Sequence, residues 1–175
     1  MASKKAQYDS DYIRAVNKTY RARGATSGAS GARAVVPRIV TEMIPKSAKI
    51  LDFGAGTEAI HARNLRLQGY NVSAYDIGDN LDPAIHDRYA LRKKWDAVYA
   101  SNVMNVQPSR SALIDLVSLI SGILVNSGTF IGNYPTSPRK SGVSVAELES
   151  ILHRYFSVVT RIKGISSPTW ICKRR

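Results

Sequence analysis

Apolar residues recur along this chain at two different periods, and the switches between them mark out its elements. Val35/Val36, Ile39/Val40 and Met43 return every three to four positions, which predicts a helix over 32–43 with Pro37 in its first turns, where a missing N–H is tolerated. Lys49-Ile50-Leu51-Asp52-Phe53 is a short apolar run ended by glycines, the pattern of a buried parallel strand. Thr57 is placed to cap a helix over 58–68 that Gly69 stops, and 71–76 reads as a second strand. Trp95-Asp96-Ala97-Val98-Tyr99-Ala100 is a third. Leu113, Leu116, Val117, Ile120 and Leu124 then line one helix face, closed before Gly128. Thr129-Phe130-Ile131-Gly132 is a strand, and Ser144-Val145-Ala146-Glu147 is a capping box ahead of a helix carrying Leu148, Ile151, Leu152 and Tyr155. Two strands, near 157–162 and 169–172, finish the chain.

Alternation of this kind predicts a Rossmann-like, doubly wound α/β fold: a mostly parallel sheet between two layers of helices. The last two strands are connected too closely for a crossover, so they form an antiparallel hairpin at one edge. The pattern divides the chain into a basic arm with a Gly/Ser/Ala-rich loop, residues 1–31, and one α/β domain, 32–175. No apolar run is long enough to span a bilayer. The one cysteine, Cys172, excludes an internal disulfide and a cysteine-rich zinc site, so a cytoplasmic location is the simplest fit.

Charge sharpens this picture. The net +12 divides as +7 over 1–49 (ten Lys/Arg, three acids), −1 over 50–135 (seven, eight) and +6 over 136–175 (eight, two). A neutral middle between basic flanks suits chemistry on a small ligand next to something acidic, and nucleic acid is the obvious partner. Arg21, Arg23 and Arg33 around the glycine-rich loop, Arg139 and Lys140 after a strand, and Lys173, Arg174 and Arg175 at the end are the expected backbone contacts. Individually, each reads more simply as a solvated charge, and the hypothesis is that several act together.

The densest chemical signal is Asp52-Phe53-Gly54-Ala55-Gly56-Thr57-Glu58-Ala59, between the first central strand and its helix. Gly54 and Gly56 permit a tight turn and let a ligand approach bare backbone. Asp76 follows twenty residues after Gly56, at the end of the next strand, where a carboxylate can accept both hydroxyls of a ribose. Gly54-x-Gly56-x-x-Ala59 also satisfies a dinucleotide fingerprint. Asp52 argues against that cofactor: it would face a pyrophosphate with the wrong charge, yet it suits the cationic end of an amino acid.

Asp52-x-Gly54-x-Gly56, Asp76, the run from Asp96 to Ser101-Asn102 and the terminal hairpin together resemble the class I S-adenosylmethionine-dependent methyltransferases, from about residue 34 onward. The stretch Tyr99-Ala-Ser-Asn-Val-Met-Asn-Val-Gln-Pro is similar to small methyltransferase-domain proteins, several of them from bacteriophages, whose location would be the host cytoplasm. The resemblance implies S-adenosylmethionine as cofactor. Asp52, Gly54, Ala55 and Gly56 would border its methionine part, Asp76 its ribose and Ile77 its adenine, with Ser101 and Asn102 near the methyl group. One departure stands out: the interval from Asp76 to Asp96 is too short for the helix, strand and second helix the family usually places there.

The acceptor is less legible. Base-amino methyltransferases of this fold usually carry (Asp/Asn/Ser)-Pro-Pro-(Tyr/Phe) where this chain has Ser101-Asn102-Val103-Met104, and Asn133-Tyr134-Pro135 echoes that tetrad one strand too late. Cytosine C5 chemistry needs a thiolate, and Cys172 lies in the last strand. Asn102 and Tyr134 are the candidates for handling a proton at the acceptor. His61 and His153 fall on helices, as surface residues, and His86 falls in the irregular segment. No cluster has metal-ligand spacing. Three readings follow: methyl transfer to nucleic acid, methyl transfer to a small molecule or protein side chain, and a non-catalytic cofactor-binding module.

Overall fold

The computed structural model describes residues 34–175; the arm and the first two residues of the domain, and with them Arg21, Arg23 and Arg33, lie outside the described residues. Six strands, β1 (Ile50–Phe53), β2 (Val72–Tyr75), β3 (Trp95–Ala100), β4 (Leu124–Asn133), β5 (Val158–Arg161) and β6 (Thr169–Lys173), form one sheet in the order β2-β1-β3-β4-β6-β5. The first four are parallel, while β6 runs antiparallel between β4 and β5. This is the expected Rossmann-like sheet with its antiparallel edge.

Helices α1 (Val35–Met43), α2 (Ile60–Leu67), α3 (Arg110–Ile123) and α4 (Val145–Tyr155) cover it. Strand alternation divides the core in two. Ile50, Ala74, Ala97, Tyr99 and Ile131 pack with Val36, Ile39, Val40 and Leu65 of α1 and α2. Leu51, Phe53, Val98, Ala100 and Phe130 pack with Leu113, Leu116, Ile120, Leu148 and Ile151 of α3 and α4. Both sheet faces are buried, which is why these strands read as continuous apolar runs. Among the described residues, no helix is long and apolar enough to cross a membrane.

Local signals held unevenly. Ser144 caps α4, accepting the Glu147 N–H at 3.2 Å, as its capping box predicts. Thr57 does not cap α2: that helix begins two residues late, after Ala59 in the left-handed region at φ 45° and without a side-chain cap. The glycine loop sets where the helix enters, and it overrides the local capping preference. Strand β4 starts at Leu124, directly from α3, well before the predicted Thr129.

The short interval after β2 contains no strand and no α-helix, only 3₁₀ turns at Gly78–Asn80 and Ala90–Arg92. Strand β2 is therefore an edge of the sheet. Its outward carbonyls are nonetheless closed off: Arg66 Nε donates to Val72 O at 2.6 Å and Asp87 N–H to Ala74 O at 2.8 Å. Capping an edge in this way removes a template for unwanted pairing. Trp95 Nε1–H donates to Ala90 O at 2.9 Å and fixes the far end of the irregular segment.

Candidate functional site

The carboxyl ends of β1, β2 and β3 meet at one edge of the sheet, where open α/β sheets hold their ligands. Gly54 and Gly56 both lie at positive φ, 78° and 74°, a region that glycine enters without strain. Their surroundings differ. A Cβ on Gly54 would stand 2.5 Å from Val103 Cγ2, whereas a Cβ on Gly56 would meet nothing within 4 Å. The loop is thus pressed against the segment after β3 at Gly54 and open at Gly56. Gly54→Ala is expected to lower stability by about 2–4 kcal/mol, combining left-handed strain with overpacking. Gly56→Ala carries only the strain, about 1–2 kcal/mol, and in addition weakens ligand binding; thermal unfolding and calorimetry on the two variants separate these effects.

Asp76 ties this loop together. Its Oδ2 accepts the Gly56 N–H at 2.6 Å, and its Oδ1 accepts the Ile77 N–H at 2.7 Å and the Asn80 amide at 3.4 Å. The side chain is only 3% exposed. Burial pushes its carboxyl upward, opposed by the hydrogen bonds from Ile77, Gly56 and Asn80 and by His86. Each oxygen has two lone pairs, so Oδ2 retains one for a ribose hydroxyl.

His86 is the site residue that the sequence did not single out. It is buried, and its Nε2–H donates to Gly56 O at 2.8 Å while its Nδ1 accepts the Asp82 N–H at 3.0 Å. Gly56 is therefore held from both sides, by Asp76 at its N–H and by His86 at its carbonyl. A lone histidine in an irregular stretch carries no periodic signal, so only the fold could reveal this.

Two expected site residues are buried. Asp52, expected at the cationic end of an amino-acid ligand, is 1% exposed and lies opposite Tyr99 across β1 and β3. It faces the Tyr99 hydroxyl closely enough to be felt electrostatically, yet neither Asp52 Oδ2 nor Tyr99 Oη reaches a partner in good hydrogen-bonding geometry. Burial raises its carboxyl from 3.8 to about 7, with the Tyr99 hydroxyl opposing and Asp76 adding to the rise. The same burial lifts the Tyr99 phenol well above 10. Strand alternation points Asp52 to the face that α2 covers, where the Ala62 backbone and Arg66 act on its carboxyl and Asp76 stands near enough to raise it.

Tyr134 is fully buried, and its hydroxyl donates to Val143 O at 2.8 Å, so it closes the loop after β4 rather than attending an acceptor.

Asn102 does lie at the edge, with Ser101 beside it, both partly exposed. Asn102 has a left-handed backbone, φ 59°. Asn133 at the end of β4 holds it there: Asn102 N–H donates to Asn133 Oδ1 at 2.7 Å, and Asn133 Nδ2 donates to Asn102 Oδ1 at 2.8 Å. The Nδ2 of Asn102 lies outside this clasp.

Among the described residues, the expected basic contacts Arg139, Lys140, Lys173 and Arg174 do not gather. Arg139 lies over the Tyr134 ring, 4.6 Å from its centroid, and donates to Pro135 O and Tyr134 O. Lys140 follows it, exposed, with its backbone N–H donating to Asn105 O at 3.0 Å. Lys173 donates to Thr129 Oγ1 at 2.6 Å and Arg174 to Leu124 O. Because β6 is antiparallel to β4, Lys173 sits opposite Thr129, about 13 Å down the strand from Asn133. The tail Lys173-Arg174-Arg175 thus emerges toward the end of the sheet away from the ligand edge.

Cys172 is buried in β6, where burial pushes its thiol up to about 12. No group of metal-ligating residues occurs among the described residues.

A profile of the methyltransferase domain family matches residues 27–158 of this sequence, well over half of the chain. The chain belongs to that family. It is the S-adenosylmethionine-dependent class expected from the glycine loop, the spaced aspartate and the edge hairpin. Solved methyltransferases share the fold. A TehB-like SAM-dependent methyltransferase from Corynebacterium glutamicum is 16% identical, with a TM-score of 0.62 over 93% of this chain and 98% of that one. A SAM-bound amino pentose methyltransferase from Micromonospora echinaspora is 15% identical, with a TM-score of 0.60 over 91% and 96%. The magnesium protoporphyrin IX methyltransferase from Synechocystis PCC 6803, with bound SAM, is 16% identical, with a TM-score of 0.57 over 81% and 77%. A search of curated proteins finds no significant match.

Proposed function

We propose that this methyltransferase moves the methyl group of S-adenosylmethionine to a hydroxyl or amine of a nucleic acid. The observation that carries the methyl-transfer part is the glycine loop, held at Gly56 by Asp76 and His86 and open on its outer side, next to the Asn102–Asn133 clasp. These residues fit the cofactor. Gly54, Ala55 and Gly56 would border the methionine part, Asp76 would receive a ribose hydroxyl, and Ile77, half-buried against the core, would lie beside adenine. Bound there, the cofactor supplies a methyl group already activated on a sulfonium.

The protein's own contribution is position. Ser101 and Asn102 stand where the acceptor enters, and Asn102 Nδ2–H can orient its oxygen or nitrogen. Three groups that could serve as a base are engaged elsewhere: His86 holds Gly56, Cys172 is in β6 and Tyr134 is buried. Catalysis by proximity needs only an aligned nucleophile, and its proton leaves to solvent. The pH dependence of the rate should therefore follow the acceptor's own pKa.

The net charge of +12 supports a nucleic-acid acceptor. The inward bonding of Arg139, Lys173 and Arg174 favours a second reading, a small-molecule acceptor, and such acceptors are named for two of the structural neighbours. Incubation with methyl-labelled cofactor and RNA, DNA or a small-molecule extract decides between them. Label in nucleic acid supports the first reading and label in the extract the second. Cofactor that binds without labelling any acceptor would leave only a binding module.

A further inference from the structure

We propose that residues 87–94, beside the cofactor loop, form a docking surface for a single-stranded nucleic acid; this deepens the nucleic-acid reading above and rests on it. Four of the seven Lys/Arg between residues 50 and 135 fall here, Arg88, Arg92, Lys93 and Lys94, against one acid, Asp87; Lys93 pairs with Asp87 and Lys94 donates to Gly122 O, which leaves Arg88 and Arg92 to meet a ligand. The segment is a basic island in the stretch that is neutral as a whole. At its centre Tyr89 is 49% exposed, one of four large apolar or aromatic side chains so exposed among the described residues. The guanidinium carbons of Arg88 and Arg92 lie 5.3 and 5.6 Å from its ring centroid.

Flat cationic groups gathered on an exposed aromatic ring match what an unpaired nucleotide presents, a π-face and a phosphate. In a duplex the bases stack on one another and withhold that face, so the fit is to a single strand. The surface is also rigid. Tyr89 N–H donates to Asp87 Oδ1 at 2.9 Å, Lys93 is paired with Asp87, and Ala90 is buried with its carbonyl on Trp95. Binding therefore orders little that is not already ordered. Its place matters as well. Three residues before Tyr89, His86 holds Gly56 O, so the surface begins beside the cofactor loop and runs from there toward the start of β3. The edge of β2 that Asp87 closes is thereby turned from a pairing edge into a side-chain surface.

The test is fluorescence anisotropy of the full chain with a labelled oligo(dT) strand, the same sequence as a duplex, and heparin as a polyanion without bases. The wild type should prefer the single strand. Tyr89→Ala should weaken it about tenfold, the loss of roughly one stacked base, and Tyr89→Phe should restore it. Arg88→Gln and Arg92→Gln should each weaken binding and lower the salt slope by about one phosphate contact. Wild-type binding that Tyr89→Ala leaves unchanged would overturn this surface and leave the nucleic-acid acceptor standing. Equal affinity for heparin, independent of Tyr89, would reduce it to charge attraction and overturn it likewise. If the wild type binds no strand at all, the surface and the nucleic-acid acceptor fall together, while calorimetry with S-adenosylmethionine still reports the methyltransferase site.

Discussion

Asp76→Ala is expected to lower the affinity for S-adenosylmethionine about a hundredfold or more. The carboxylate accepts two backbone N–H groups, Gly56 and Ile77, that fix the loop and the adenine side of the site. Hydrogen bonds to a charged group contribute about 1.5–3 kcal/mol each, and the ribose contact is lost with them. Two such losses correspond to roughly a hundredfold or more in affinity. Asp76→Asn separates charge from geometry. Both oxygens accept from N–H groups, so an amide must turn its NH₂ toward one of those donors, and asparagine should do nearly as much damage as alanine. Isothermal calorimetry, with circular dichroism as a folding control, gives the answer. Wild-type affinity in Asp76→Ala would mean that the ribose is held elsewhere.

Asp52→Asn should have the opposite sign, raising stability at pH 8 by about 2–4 kcal/mol. The carboxyl of Asp52 titrates near 7 in the folded chain and at 3.8 when unperturbed, chiefly because burial disfavours its charge. Between those values the native state keeps a proton that the unfolded chain has released, so stability falls as pH rises from about 4 to 7. Above 7 the penalty is constant; below 3.8 it vanishes. Each pKa unit is worth about 1.4 kcal/mol, which sets the upper end of the expected gain. Asparagine keeps the shape without the charge, so the gain at pH 8 should exceed that at pH 5 by about 2 kcal/mol in denaturant unfolding. A loss of stability at pH 8 would show that the ionised group has a compensating partner.

These two aspartates show how far the sequence could be read. Both stand at strand ends by the glycine loop, and by residue type either suits a cationic or hydroxyl ligand. Asp76, one residue beyond β2, has left the strand and bonds the loop. Asp52, within β1, obeys the alternation of side chains and is carried under α2. The same contrast separates Asn102 from Tyr134: Asn102 follows its strand onto the ligand edge, and Tyr134 folds back to Val143.

The sequence by itself determined the layer order, the hairpin edge, the position of the glycine loop and the family, because these follow from local periodicity and from glycines at fixed spacing. The tertiary structure alone decided that His86 holds Gly56, that Asn133 clasps Asn102, and that Arg88 and Arg92 gather on Tyr89. It also decided that the terminal basic residues point away from the site. The physical reason is that these contacts join chain segments brought together only by the crossings of the sheet, or turn on the direction of a single side chain, and neither leaves a repeating mark in the sequence.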